Sequence, residues 1–242
     1  MRLAVFSDIH GNLPALEAVL ADVAFHRPDA VWYVGDFVGY GPWPEECVRR
    51  IAEAGIPAVY GNYDRKTLKY PRKVEVWART KDPRKTGAFR HAFEGLSAES
   101  RACLAGLPET YRAEWEGVRA LMVHSAPDSP RVGIFPDTAQ TRLGVIASQW
   151  AADLVLTGHT HLPCVLRTAR GATFVNVGSA GRPGDGDPRA TWALIEIEGG
   201  TAPRVTIERT VYPVEEIVAE TLRTPGLSPD FAELYPRGQA SF

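Results

Sequence analysis

The chain has 242 residues, enough for one large domain or two small ones and for a sizeable buried core. Its 27 Lys and Arg against 29 Asp and Glu leave a formal charge of -2, so no overall field draws it to a nucleic-acid backbone or an anionic membrane; no stable nucleic-acid partner is expected. No apolar run approaches the roughly 18 residues needed to cross a bilayer, there is no secretory leader after Met1, and Cys47, Cys103 and Cys164 are far apart and outside any CxxC pair, all of which predicts a cytoplasmic protein with unlinked thiols.

Arg2 to Phe6 reads as a short strand that stops at Ser7-Asp8-Ile9-His10-Gly11-Asn12, so Asp8 and His10 lie just past a strand's carboxyl end. Pro14 suits the first turn of a helix, and Leu13, Leu16, Val19, Leu20 and Val23 recur at helical spacing up to His26-Arg27-Pro28. His26, in that last turn, is read as a helix-end cation. The same grammar repeats: a strand Ala30 to Val34 ends in Gly35-Asp36, a helix Glu45 to Ala54 follows, and a strand Ile56 to Tyr60 ends in Gly61-Asn62-Tyr63-Asp64. Strand alternating with helix predicts a largely parallel sheet with helices on its faces. Ligands of such sheets bind beyond the strands' carboxyl ends, where Asp8, His10, Asp36 and Asn62 gather.

Residues 65–95 carry a strong excess of Lys and Arg, including Lys66 and Lys69, and read as a basic, partly helical, cap-like excursion from the sheet. Two uses are open: recruitment of an anionic substrate, or a solvated surface. His91 has no partner motif and is left outside the site. Ser97 opens a second helical stretch up to Leu107-Pro108, and Tyr111 to Trp115 with Val118 to Val123 form a hairpin ending in His124-Ser125-Ala126-Pro127. Asp137 and Gln140 resemble a capping box before a helix with Leu143, Ile146, Ala147 and Trp150 on one face.

The apolar run Leu154 to Leu156 then delivers Thr157-Gly158-His159-Thr160-His161 into a loop. Extended residues at i and i+2 point to one side about 6.6 Å apart, so the two imidazoles could share one site. Cys164 starts the next apolar stretch and is read as a packed thiol. Strands Cys164 to Arg167 and Thr173 to Val177 lead into a Gly- and Pro-rich loop from Gly178 to Arg189. Its Arg182 and Arg189 either clamp a second phosphate or sit on the surface and steady the loop. Trp192 to Glu198 and Val205 to Tyr212, joined through Gly199-Gly200, predict a closing hairpin on a second sheet, and a last helix starts near Val214. With no repeat and no linker, residues 1–242 are expected to form a single domain.

Asp8, His10, Asp36, Asn62, His124, His159 and His161 all end apolar strands, and four of the six histidines are among them. Seven nitrogen and oxygen donors without cysteine suit Mn, Fe or Zn, and they exceed one ion's needs. With one carboxylate bridging, they make a two-metal site of the kind used for in-line displacement at phosphorus.

Asp8-x-His10, Gly35-Asp36, Gly61-Asn62-x-Asp64, His124 and Gly158-His159-Thr160-His161, in this order, resemble the calcineurin-like metallophosphoesterase superfamily. The segments Val38-Gly39-Tyr40-Gly41-Pro42 and Asp185-Gly186-Asp187-Pro188-Arg189-Ala190 resemble its bacterial branch similar to diadenosine tetraphosphatases, Ser/Thr phosphatases and YfcE-like phosphodiesterases. The resemblance implies an α/β fold, a four-layer α/β/β/α sandwich of two mixed sheets. It implies two divalent ions, Mn first with Fe, Zn or Ni as alternatives. Asp8, His10, Asp36 and His161 would hold one, and Asp36, Asn62, His124 and His159 the other. A metal-bridging hydroxide would attack phosphorus, with Asp36, Asn62, Tyr63, Asp64 and His124 as the catalytic set. Many members carry a histidine where this chain has Tyr63, and a phenol near pKa 10 is a poor acid at neutrality. Tyr63 could donate a hydrogen bond, stack on a nucleobase or pack, while Asp64 would orient a neighbouring group. The expected activity is hydrolysis of a small phosphodiester or nucleotide-type substrate. The alternatives are a phosphomonoester or phosphoprotein phosphatase and a non-catalytic scaffold such as the retromer subunit that resembles these enzymes.

Overall fold

A computed structural model describes residues 1–199 and 201–240. β1 (Arg2–Phe6) pairs in parallel with β2 (Ala30–Tyr33), and the two lie in a four-stranded sheet of order β2-β1-β8-β9. The second sheet runs β3-β4-β5-β7-β6, from β3 (Thr110–Trp115) and β4 (Val118–Val123) through β5 (Leu154–Thr157) and β7 (Thr173–Asn176) to β6 (Cys164–Arg167). In it β4, β5 and β7 are parallel, with antiparallel β3 and β6 on the edges, so both sheets are mixed.

Side chains alternate across each strand, and each face finds its own core. Leu3 and Val5 of β1 meet Met122, Leu154, Leu156 and Val175 between the two sheets. Ala4 and Phe6 turn outward to Leu16 and Val19 of α1 (Leu13–His26), Val48 of α2 (Pro44–Glu53) and Ile217 of α7 (Val214–Arg223). On the far side Leu121, Val155 and Phe174 cover Leu143 and Ile146 of α6 (Gln140–Trp150). The layers are helix, sheet, sheet, helix. Leu3 to Phe6 of β1 and Leu154 to Leu156 of β5 are apolar runs because both their faces are buried. Among the described residues no helix is long and apolar enough to cross a membrane.

Four expectations are corrected. The hairpin β8 (Ala190–Glu196) and β9 (Arg204–Thr210) joins β1 in the first sheet rather than starting a second. Val5 pairs with Ala193, so Trp192 packs under the helices while Ala193 and Ile195 face the other sheet. Ile56 to Tyr60 forms a single bridge, Ala58 to Tyr33, because Pro57 has no N–H to donate and the Tyr60 N–H turns away to the Pro108 carbonyl. The Asp137–Gln140 capping box does not form: α6 starts from Ala139 without a side-chain cap, and the Thr138 hydroxyl accepts from the Phe135 N–H instead. The basic excursion is helical nearly throughout, as α3 (Asn62–Thr80) and α4 (Pro83–Gly95), with Asp82 capping α4. α5 (Ala98–Gly106) follows, capped by Ser97, and the tail adds α8 (Asp230–Leu234). The tip Gly200 and the last two tail residues lie outside the described residues.

Candidate metal centre

The carboxyl ends of strands from both sheets meet at one place. Asp8 and His10 follow β1, Asp36 follows β2, Asn62 opens α3, His124 follows β4, and His159 and His161 follow β5. Asp8, His10, Asp36, His159 and His161 all sit in the left-handed backbone region, at φ 55°, 49°, 58°, 70° and 60°. That conformation is costly without a glycine and concentrates at functional sites. It also overturns the extended geometry expected for His159 and His161: the two side chains are aimed by strained turns. Glycines admit this crowding, since a Cβ on Gly61 would lie 2.0 Å from Asp36 Oδ1 and one on Gly158 2.3 Å from Asp8 Oδ2.

Each of the four imidazoles has one ring nitrogen committed to a main-chain carbonyl. His10 Nδ1 donates to Val38 O at 3.0 Å, His124 Nδ1 to Val34 O at 2.7 Å, His161 Nδ1 to Arg182 O at 2.6 Å and His159 Nε2 to Arg131 O at 3.4 Å. The opposite nitrogens therefore all turn into the centre, the arrangement that fixes metal-binding tautomers. There those of His10, His124 and His161 face two buried carboxylates, and that of His159 faces the Asn62 carboxamide at 2.6 Å. Asp8 Oδ1 is 3.2 Å from His161 Nε2 and 3.6 Å from His10 Nε2, and Asp36 Oδ2 is 3.2 Å from His124 Nε2 and 3.7 Å from His10 Nε2. The Asn62 side chain closes the set, 3.2 Å from His124 Nε2.

This donor set fits divalent cations. Asp8, His10 and His161 form one group whose ligand atoms lie within 4.8 Å of one another, and Asp8, Asp36 and His124 form a second. Asp8 Oδ1 is buried without any hydrogen-bond partner, an expensive state for a carboxylate unless a cation claims it. Without metal the histidines share this charge unevenly. Burial opposes ionisation of His124, but Asp36 and Asp8 outweigh it and push its pKa up to about 10. For His10 burial prevails over the same carboxylates and lowers the pKa to about 4.

Asp64 does not face the centre. Its Oδ2 accepts from the Asp36 and Gly61 N–H groups at 3.0 and 2.7 Å, and Oδ1 accepts from Phe37 N at 2.9 Å. It thereby ties the loop after β2 to the start of α3. Tyr63 packs: its ring meets His10 and Phe89 at centroid distances of 5.1 Å each, its hydroxyl bonds the Tyr40 hydroxyl, and its N–H donates to Asp36 Oδ1 at 2.6 Å. Burial and the neighbouring Tyr40 hold the phenol pKa well above its ordinary value.

The two loop arginines part company. Arg182 is buried, 2% exposed, with its guanidinium 3.6 Å over the Tyr40 ring and its Nε without a partner, so the surface reading fails for it. Arg189 is not brought to the centre; it forks onto Asp187 at 2.6 and 3.1 Å. His26 lies 3.7 Å from Asp22, and His91 bonds the Pro42 carbonyl; neither joins the site. Sequence reasoning missed Ser7, whose hydroxyl donates to Asp8 Oδ2 at 2.6 Å, and the structural part of Tyr40. Gly39 was the available signal for Tyr40, since a Cβ there would strike the Tyr63 ring at 2.5 Å.

The chain is similar to an uncharacterized protein of Methanocaldococcus jannaschii, 28% identical over 239 residues that cover 88% of this chain and 89% of that one. A shorter stretch of 67 residues is 36% identical to a symmetrical bis(5'-nucleosyl)-tetraphosphatase of Pectobacterium carotovorum, covering 26% of this chain and 24% of that enzyme. Among solved structures, a metallophosphoesterase from Sphaerobacter thermophilus superposes with a TM-score of 0.77 at 29% identity, over 98% of this chain and 99% of that one. Residues 1–200 match the calcineurin-like phosphoesterase superfamily domain, and with two mixed sheets holding this donor set between them, the chain belongs to that family.

Proposed function

We propose that the protein is a phosphodiesterase that hydrolyses a small phosphodiester or nucleotide-type substrate with two divalent cations, Mn foremost. One observation carries the reading: four imidazoles each hold a proton on a main-chain carbonyl, and the opposite nitrogens of three of them, His10, His124 and His161, turn onto two buried carboxylates while that of His159 turns onto Asn62. Cations held there supply a nucleophile at neutral pH and neutralise charge on the phosphoryl oxygens. The chain's own part would be to hold them: Asp8, His10 and His161 on one side and Asp36, His124, Asn62 and His159 on the other, with Asp36 Oδ2 3.2 Å from His124 and 3.7 Å from His10. Arg182, behind the Tyr40 ring, adds fixed positive charge beside His10.

The preference for a diester rests on Tyr63. Its proton is held by burial and by Tyr40, so it has none to lend to a poor leaving group at neutral pH. Its ring lies against His10, Phe89 and Lys66, which supports packing over stacking on a nucleobase. Three free thiols accord with a reducing, cytoplasmic setting. The test compares an aryl phosphodiester with the matching monoester on Mn-loaded protein, in the wild type, Tyr63→His and Asp36→Asn. The diester should be turned over faster, Tyr63→His should raise monoester turnover, and Asp36→Asn should lower the rate by more than about 100-fold with loss of bound metal. Dominant monoester turnover that histidine does not increase would overturn the use of Tyr63; an unchanged rate in Asp36→Asn would overturn the two-metal reading.

A further inference from the structure

Lys66 stands one helical turn after Asn62 on α3, and side chains on a helix tilt back toward its N-terminus. Its ammonium accordingly lies beside the Asn62 carboxamide, 2.9 Å away, and 4.7 Å from the centroid of the Tyr63 ring. The Tyr63 ring face and the charge of Asp36 favour a cation there, but neither is an ion-pair partner. The amino end of a helix is its positive pole. Lys81 and Lys85 add repulsion, and Asp36, the acid whose charge favours the ammonium, is committed to the Tyr63 N–H and His124. No carboxylate among the described residues lies in ion-pair range of Lys66. Lys69, on the same helix, points to solvent.

The Asn62 carboxamide can face two ways, and the choice governs Lys66. With its nitrogen toward the centre, it donates to His159 Nδ1 at 2.6 Å, and its oxygen accepts from Lys66 Nζ at 2.9 Å and from the Tyr63 N–H at 3.2 Å, so the ammonium has an acceptor without metal. With its oxygen turned to a bound cation, the NH2 faces the Lys66 ammonium, donor against donor. An ammonium expelled from that contact stays at the rim of the centre without an acceptor.

We propose that Lys66 is a substrate-binding residue: held on the Asn62 carboxamide in the metal-free protein, its ammonium pairs with a phosphoryl oxygen of the substrate once the Asn62 oxygen is turned to metal. The inference rests on the phosphoesterase reading for the identity of the anion, and its test reads binding rather than turnover. Inorganic phosphate is titrated calorimetrically into full-length, Mn-loaded wild type, Lys66→Met, Lys66→Arg and the exposed control Lys69→Met, with metal content measured in each.

Lys66→Met should weaken phosphate binding about tenfold or more, the scale of one charge-assisted hydrogen bond, at unchanged metal content. Lys66→Arg should recover most of that loss, and Lys69→Met should match the wild type. Because Lys66 competes for the Asn62 oxygen, Lys66→Met should bind Mn, in the absence of phosphate, as tightly as the wild type or more so. Wild-type phosphate affinity in Lys66→Met, or equal weakening in Lys69→Met, overturns the inference. So does loss of metal in both Lys66 variants, which would make the residue structural. A wild type that hydrolyses no phosphoester yet shows the Lys66-dependent phosphate binding would sink the phosphodiesterase reading alone.

Discussion

Asp64 holds the metal centre in shape without touching it. Buried at the start of α3, it gathers the N–H groups of Asp36, Phe37 and Gly61, so one carboxylate fixes where both Asp36 and Asn62 point. An asparagine there has the same size but turns an NH2 against two of those donors. Asp64→Asn should therefore weaken Mn binding about 10- to 100-fold, the usual cost of losing a group that orients metal ligands, while far-UV circular dichroism stays native. Unchanged Mn affinity would show that the loop after β2 holds itself. At this scale the seven donors were legible, because histidines and carboxylates that end apolar runs are conspicuous. The left-handed turns that aim them were not, since hydrophobic spacing reports on strands and is silent about the loops after them. Nor was the burial of Arg182, which comes from packing against Tyr40 and, from the tail, Phe231.

The helical excursion α3–α4 meets the centre through one small apolar cluster. Phe89 of α4, 1% exposed, packs 5.1 Å from the Tyr63 ring and 5.4 Å from Trp77, with Phe231 of α8 in the same cluster. Phe89→Ala leaves a cavity there and should cost about 3–5 kcal/mol in urea denaturation of the metal-free protein. Mn affinity should fall far less than in Asp64→Asn, because Phe89 itself touches no ligand and the cluster reaches them through the Tyr63 N–H on Asp36 and the Tyr63 and Tyr40 rings on His10. A loss below about 1 kcal/mol would mean that α3 is anchored elsewhere. Helical spacing and capping residues made α1, α5 and α7 readable from sequence, and apolar runs did the same for β1 and β5. Which strands lie side by side was not readable: the spacing of Trp192, Leu194 and Glu196 predicts a strand but not that β1 is its neighbour.

The two sheets are layered so that β1 and β2 supply both carboxylates and the His10 imidazole while β4 and β5 supply the other three imidazoles across the interface, so a bound metal would join the halves of the molecule. That placement sets the pH dependence. In the metal-free protein Asp36 and Asp8, working against burial, keep His124 charged up to about pH 10, whereas a metal ligand must be neutral. Mn binding between pH 7 and 9 should thus release a proton from His124. Calorimetric heats should change with the ionisation enthalpy of the buffer, and Mn affinity should tighten by about tenfold per pH unit for that one proton. The stability of the metal-free protein moves the other way. The folded pKa of His124 lies above its ordinary 6.5, so the stability it contributes is complete below about pH 6.5 and is lost as pH rises through 10. Tightening affinity at fixed free Mn and fading metal-free stability are two views of this one proton and count once. The thermal shift on adding Mn should widen steadily from pH 6.5 to pH 9, the stabilisation reaching about 2.7 kcal/mol per site wherever free Mn is a hundred times its Kd. Buffer-independent heats, or a shift that shrinks over that range, would mean that His124 does not carry the displaced proton.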